Sequence, residues 1–486
     1  MTFTRREAFA VLAGAGVLSG CGNLASQKKT VPPPTSLTDP ATRLIARAGF
    51  GARPGETQDV RELGADGWIA SQLRPDGHEP FDLLHRLSRL DIFRFSAWEL
   101  RDWKEDDIIG QLQQAALLSA ALSPWQVRER MIDFWSNHFN IYAKKGLSAY
   151  RLPSAYRNVI QANALGSFPK MLHASAKSTA MLLYLDQQAS HRGNPNENYA
   201  RELLELHTLG VDAGYSQKDV MEVARCFTGW TEERRFLREK GSFRFYPQLH
   251  DSEEKLVLGE VIPAGGGVKD GERVLDILAR HPATARHLAR KLVKFFLGRE
   301  DVALEVAVED AYWGDQLGDI SAMVKTVLSS PALLDGPPAP KRPFDYVVSA
   351  LRATDSGFSL WPKFAPILGH LDKMGQPLHL WPMPDGYPLD ADAWGGSMLA
   401  RWNFAFALTS NRIGGVSVDL SGLAKRYGAS SRNEWIAAVF GLSHDSQKAG
   451  SLMATLQQHT VQNPSTSDDW AQIAALCLCS PEFQWR

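Results

Sequence analysis

Apolar residues recur at helical spacing along most of the chain. Ile108 to Leu122 is rich in Ala, Gln and Leu, and Trp125 to Phe139 follows the Ser123-Pro124 step, where proline suits a first helical turn. The same recurrence predicts helices over Lys170 to Asp186, Gln217 to Phe227, Gly271 to Ala279, Pro282 to Leu297 and Ile320 to Leu328. Later ones are expected over Arg401 to Leu408, Asn433 to Val439 and Trp470 to Cys479. Strand-like alternation is confined to Ser242 to Tyr246, followed after a loop by Lys255 to Gly259. The pattern therefore predicts an all-α, multi-helix globular protein with one small β-hairpin around 242–259. Pro337, Pro338, Pro340 and Pro343 mark a break. It separates a main helical domain over 41–335 from a C-terminal helical part over 341–486, packed on the same core.

The first residues follow a different pattern. Thr4-Arg5-Arg6-Glu7-Ala8-Phe9 is a twin-arginine motif, and the apolar run from Ala8 to Val17 is too short to span a bilayer. Leu18-Ser19-Gly20-Cys21 resembles the lipobox of bacterial lipoproteins. Residues 1–20 thus read as a signal peptide for export in the folded state, with Cys21 lipidated and inserted in a lipid bilayer. Residues 21–40, with Pro32-Pro33-Pro34, read as a tether. The expected location is the periplasm or cell envelope. The alternative is a basic-apolar N-terminus that arose by chance.

Composition narrows the function classes. The 486 residues hold 53 Lys plus Arg against 54 Asp plus Glu, which gives no electrostatic basis for nucleic-acid binding. Besides Cys21 there are Cys226, Cys477 and Cys479, too few for a disulfide framework in a chain of this length. Burial as free thiols is the favoured reading over a Cys477/Cys479 redox pair.

Candidate chemistry concentrates in Asn194 to Gly210. Asn194 fits a helix N-cap, Pro195 a first turn, Glu197 the third position of a capping box and Gly210 a left-handed stop. At ~100° per residue, Glu197, Asn198, Arg201, Glu202, Glu205 and Thr208 share one arc, whereas His207 falls among apolar residues and reads as a core histidine. Arg201, Glu202 and Glu205 have two readings. They are i,i+4 ion pairs on a solvated face, or a set in which Arg201 orients one carboxylate while another is poised for proton transfer. His250-Asp251, between the strand-like segments, suits general-base or metal work, and equally an ordinary polar turn. His138 ends an aromatic helix and is a ligand-binding candidate with Asn198. Trp381-Pro382-Met383-Pro384-Asp385-Gly386-Tyr387-Pro388 is a stiff aromatic loop, with Trp361, Trp394 and Trp402 close in sequence. Trp381 and Tyr387 could stack on sugar rings, or pin the loop to the core. There is no Walker loop, nucleophile elbow, zinc cysteine cluster or His-Glu-x-x-His, and Gly265-Gly266-Gly267 lacks a phosphate-loop context.

Asn196-Glu197-Asn198-Tyr199-Ala200-Arg201-Glu202-Leu203-Leu204-Glu205-Leu206-His207-Thr208-Leu209-Gly210 resembles the bacterial family called domain of unknown function 1800. So do Gly214-Tyr215-Ser216, Thr228-Gly229-Trp230, His250-Asp251, His281-Pro282-Ala283-Thr284-Ala285, Arg290-Lys291-Leu292-Val293, Arg47-Ala48-Gly49-Phe50-Gly51 and Met374-Gly375-Gln376-Pro377. Where that family usually carries a Pro-Pro-Asn-x-x-Gly-Trp type loop, this chain has Trp381 to Tyr387. The resemblance implies a helical exported protein, often encoded beside an exported sulfatase-like protein, and carries no assigned activity.

Two functions are therefore expected. One is a cell-envelope hydrolase of a polymeric, carbohydrate-type substrate. Glu202 and Glu205 would be its acid and base, Arg201 would orient them, and His250-Asp251 would assist or hold a metal. It requires Arg201, Glu202, Glu205 and His250 to converge. The other is a non-catalytic lipoprotein that binds or stabilises the sulfatase-like partner. No motif names a cofactor, although export in the folded state is compatible with a metal ion loaded beforehand.

Overall fold

Helix ends in this chain are set by short-range chemistry. Glu105–Leu122 opens on Glu105, Asp106 and Asp107, whose charges complement the positive end of the helix dipole. Ile108, Leu112, Leu117 and Leu118 bury it on several sides. Pro282–Leu297 starts with the His281 side chain accepting from the Ala283 N–H and stops at Gly298, φ 70°. Gln217–Phe227 is closed by a Ser216/Asp219 capping box. Ile320–Leu328 also has its expected bounds, and Gln126–His138 begins just after Pro124. The single helix expected over Lys170 to Asp186 is two, Phe168–Ala176 and Thr179–Tyr184, because Ser178 takes an extended conformation between them.

This computed structural model describes residues 39–75, 77–233, 235, 241–359, 365–440 and 450–486. The expected signal peptide, Cys21, nearly all of the tether and Trp361 lie outside the described residues. Helix predominates, and the described strands form three two-stranded antiparallel ribbons. The hairpin expected around 242–259 has different partners. Phe243–Phe245 pairs with Trp230–Glu232, and Lys255–Val257 pairs with Glu260–Ile262. Leu258 and Gly259 both have positive φ, 51° and 84°, so the chain reverses within two residues before it can reach the earlier strand.

The chain groups into two units. Among the described residues, one holds those of Ile69–Leu333 and Gln376–Pro388, and the other holds those up to Trp68 and those of Leu334–Gly375 and Leu389–Arg486. The crossing at Leu333/Leu334 lies close to the proline-rich break, but the described helices before Trp68 join the later part and 376–388 joins the earlier one. In the second unit Pro343–Ala353 is buried along its length, and the C-terminal residues pair with 339–341. Trp394 and Trp402 are core residues there. Cys226, Cys477 and Cys479 are free and buried. No described helix is long and apolar enough to cross a membrane.

Candidate functional site

The Asn/Glu/Arg run begins its helix two residues later than its sequence suggests. Asn196 is the N-cap, its side chain accepting from the Asn198 N–H. Asn194 instead pairs with His191 in an isolated bridge. The Asn196 and Asn198 amides also donate to the carbonyls of Asp186 and Leu185, both at 3.2 Å, tying this start to the end of Thr179–Tyr184. Asn198 is thus a pin in this structure. Glu197 becomes the first helical residue and closes no capping box. It accepts from Gln217 at 2.6 Å and from Arg201 at 3.2 Å. Arg201 also reaches Glu205 at 3.5 Å. These half-exposed i,i+4 pairs contribute about 0.2–0.5 kcal/mol each.

From Leu203 to Thr208 the helix widens into a π turn. Two carbonyls of this turn are taken by rings from other elements. His138 Nε2 donates to His207 O at 3.1 Å, and His287 Nε2 donates to Leu206 O at 3.1 Å. Thr208 Oγ1 donates back to Leu203 O at 2.6 Å. The wider turn shifts the phase after Glu205, so Thr208 is fully buried and does not continue the polar arc. His207 is 1 % exposed, as its apolar phase predicts. His138 is likewise buried, with a structural bond on one nitrogen and no ring atom at the surface.

Glu202 is different from its neighbours. It is half-buried and makes no hydrogen bond or ion pair among the described residues. Burial, then the Glu205 charge, raise its carboxyl above the usual glutamate range; Arg201 opposes and Asp385 adds to the rise. Burial, then the charges of Glu202 and Asp385, raise the Tyr184 hydroxyl as well. Burial and Glu205 push Tyr215 up to about 12. Glu202, Glu205, Tyr184 and Asp385 therefore share one field.

Asp385 belongs to the stiff loop, and the larger unit clamps that loop firmly. Asn137 gives two bonds to Tyr387, Nδ2 to O at 2.9 Å and Oδ1 from N–H at 2.7 Å. Asn140 Nδ2 donates to the carbonyls of Trp381 and Met383, and the Tyr184 hydroxyl to that of Pro382. Gly386 has φ 78°, and a Cβ there would lie 2.3 Å from Asn137 O. Only glycine fits so close a backbone approach. The Trp381 indole donates to Asp385 at 2.8 Å, and Trp381 is half-buried. Tyr387 is buried, its ring 5.0 Å from Trp381 and its hydroxyl on Pro377 O, so it supports the loop from within.

Lys291 completes the surroundings. Its amine has no hydrogen bond or ion pair among the described residues, and burial pushes it down to about 8, with Asp385 opposing. Burial and then Lys291 lower His207 to about 3 and His287 to about 4. Among the described residues no group of three or more His, Cys, Asp or Glu is placed to hold a metal ion.

His250 and Asp251 do not join this set. His250 Nδ1 lies 2.8 Å from Thr228 O, and Nε2 lies 3.0 Å from Asp270. Asp270 also takes Lys255 at 2.6 Å. Asp251 is paired with Arg225 at 2.7 Å, which holds Glu222 as well. Both ring nitrogens of His250 and both carboxylate oxygens of Asp251 are engaged, so the pair holds Thr228, Asp270 and Arg225 together. Of Arg201, Glu202, Glu205 and His250, the first three lie on one helix, with the Asp385 charge acting on Glu202, and His250 stands apart from them. Sequence reasoning quoted Asp385 and Lys291 only within longer motifs. Lys291 lies one helical turn after His287, a spacing that could have singled it out.

The charges make a checkable prediction. Glu205→Gln and Asp385→Asn each remove a neighbour that raises Glu202, so each should lower the Glu202 carboxyl pKa, Glu205→Gln by more. Side-chain carboxyl titration by NMR reads this directly, and an unmoved titration in both variants would contradict the shared field.

A family model described as "Protein of unknown function (DUF1800)" matches residues 43–485. No curated protein and no solved structure matches the chain.

Proposed function

The chain belongs to the DUF1800 family, and we propose that it is a cell-envelope hydrolase of a carbohydrate-type polymer, with Glu202 as its general acid. The observation that carries this reading is a half-buried Glu202 without a hydrogen-bond partner among the described residues, its carboxyl raised and lying in the field of Asp385. Two carboxyl groups in unlike environments divide acid and base roles. In this reading Glu202 gives its proton to the glycosidic oxygen as the bond to the leaving sugar breaks. Asp385, fixed by the Trp381 indole, stabilises the positive charge that develops on the ring or takes the proton of the attacking water. Trp381 offers an aromatic face for stacking. Glu205 tunes Glu202, and Arg201 holds Glu205.

The test is release of reducing ends from isolated envelope polysaccharides by the purified protein and by Glu202→Gln. Release by the wild type alone supports the proposal, and equal release by both overturns the role of Glu202.

The second reading is a non-catalytic lipoprotein that binds or stabilises an exported sulfatase-like partner. The 56 % exposure of Met383 on the clamped loop favours it, because a rigid apolar tip suits docking. Co-purification of that partner, unchanged by Glu202→Gln and without polymer turnover, would select it.

We propose also that the protein is exported by the twin-arginine route and anchored through Cys21. Cys21→Ala should release it from the membrane fraction, and unchanged fractionation would contradict the anchor.

A further inference from the structure

The second unit contains a cavity of roughly 500 Å³, a volume suited to a small molecule. Its lining includes Ala437, Ala438, Val439 and Phe440, together with Lys341, Glu482 and Phe483. We propose that this cavity binds an anion-headed small molecule with an apolar body, and that the Lys341 amine holds the head.

The placement of Lys341 is fixed by backbone pairing with the C-terminus. Its N–H donates to Gln484 O at 2.8 Å, Ala339 and Arg486 exchange two bonds, and Arg401 donates to Lys341 O at 2.8 Å. The side chain is 5 % exposed, and its Nζ lies 3.8 Å over the Phe483 ring. Among the described residues that ring is its sole side-chain partner: Nζ has neither a hydrogen bond nor an ion pair. The other cations that line the cavity, and Arg401 on the Lys341 backbone, are engaged. Arg53 pairs with Asp355 at 2.6 Å, Arg61 with Asp39 at 3.0 Å, and Arg401 with Ser397 and Gln484. Asp345, the acid closest in charge effect, is held by Arg342 at 2.9 Å.

A buried ammonium without a counter-ion is unfavourable, and an arriving anion relieves it. Burial, then the charges of Arg486 and Arg401, push the amine down to about 7 against the pull of Asp345. Glu482 does not fill the gap. Its Oε2 is buried without a hydrogen-bond partner among the described residues, and burial raises its carboxyl above the usual glutamate range. Ala437, Ala438, Val439 and Phe440 give the body of the ligand an apolar wall, while Thr42, Thr57, Gln58 and Ser349 also line the cavity. This inference is independent of the Glu202 site.

The experiment is calorimetric titration of the full-length protein with decanoate, decyl phosphate and neutral decanol. Lys341→Met keeps the length and apolar stem but removes the amine, and losing a buried charge without a partner leaves the fold intact or more stable. Ala438→Trp, at an exposed wall position, fills the cavity by a second route. The expected result is binding of at least one anion by the wild type, weakened by about tenfold or more in Lys341→Met, as loss of a charge-assisted bond implies. Decanol should bind weakly and equally to both, and Ala438→Trp should lose all three. The tighter of the two anions distinguishes a carboxylate from a phosphate head. Equal anion binding by wild type and Lys341→Met, or no anion binding by the wild type, overturns the proposal.

Discussion

Glu202→Gln should lower polymer turnover by ~10²–10⁴-fold, the range lost when a general acid is removed. That loss corresponds to roughly 3–5.5 kcal/mol of transition-state stabilisation. Gln keeps the shape and the hydrogen-bonding reach of Glu but cannot release a proton, so polymer affinity should persist while kcat falls. Stability should move the other way. A carboxyl raised in the folded state binds its proton more readily there than in the unfolded chain, so its contribution to stability declines as pH rises through its folded pKa. Gln carries no such penalty, and Tm above that pH should be unchanged or higher. A variant that lost activity together with Tm would point to a structural role instead. Active sites that carry such a destabilising group gain stability when it is removed.

Gly386→Ala should be the most damaging small substitution in the loop. Its backbone is left-handed at φ 78°, and the new Cβ would lie 2.3 Å from Asn137 O and 2.8 Å from Asn137 Oδ1. Left-handed backbone disfavours alanine by about 1 kcal/mol. Relieving the overlap must also break the paired Asn137–Tyr387 bonds, about 1 kcal/mol each. The sum is on the order of 3 kcal/mol, which corresponds to a Tm decrease of roughly 5 °C for a unit of this size. Because the clamp positions Asp385, activity should fall as well. Gly395→Ala is the control, with no atom within 4 Å of its new Cβ. Similar Tm values for the two variants would show that the clamp contributes little.

What the sequence reveals here is local. Pro282–Leu297 and Gln217–Phe227 were legible because His281, Gly298 and the Ser216/Asp219 box lie within a few residues of the ends they cap. Arg201, Glu202 and Glu205 were legible as one set because a single helix carries them. The π turn was not, since a period of 3.6 residues has no place for it, and Thr208 was misplaced as a result. Strand partners failed for a related reason: alternation marks Phe243–Phe245 and Lys255–Val257 as strands but does not say which segments they meet. The same limit separates Asp385 and Lys291 from Glu202. Each stands in a distant stretch of chain, and the clamps by Asn137, Asn140 and Tyr184 that bring Asp385 in are tertiary contacts. His250-Asp251 shows the converse, an adjacent pair with catalytic chemistry that the fold uses to hold Thr228, Asp270 and Arg225.

The most direct test of Glu202 as the acid is kcat/KM for polymer hydrolysis against pH in the wild type and in Glu205→Gln. A general acid must be protonated to act, so activity should decline as pH rises through the raised Glu202 pKa. Removing the Glu205 charge lowers that pKa, and the alkaline limb should move to lower pH by the same shift that carboxyl titration reports. An alkaline limb that stays in place while the Glu202 titration moves, or an absence of polymer hydrolysis by the wild type, would contradict the account.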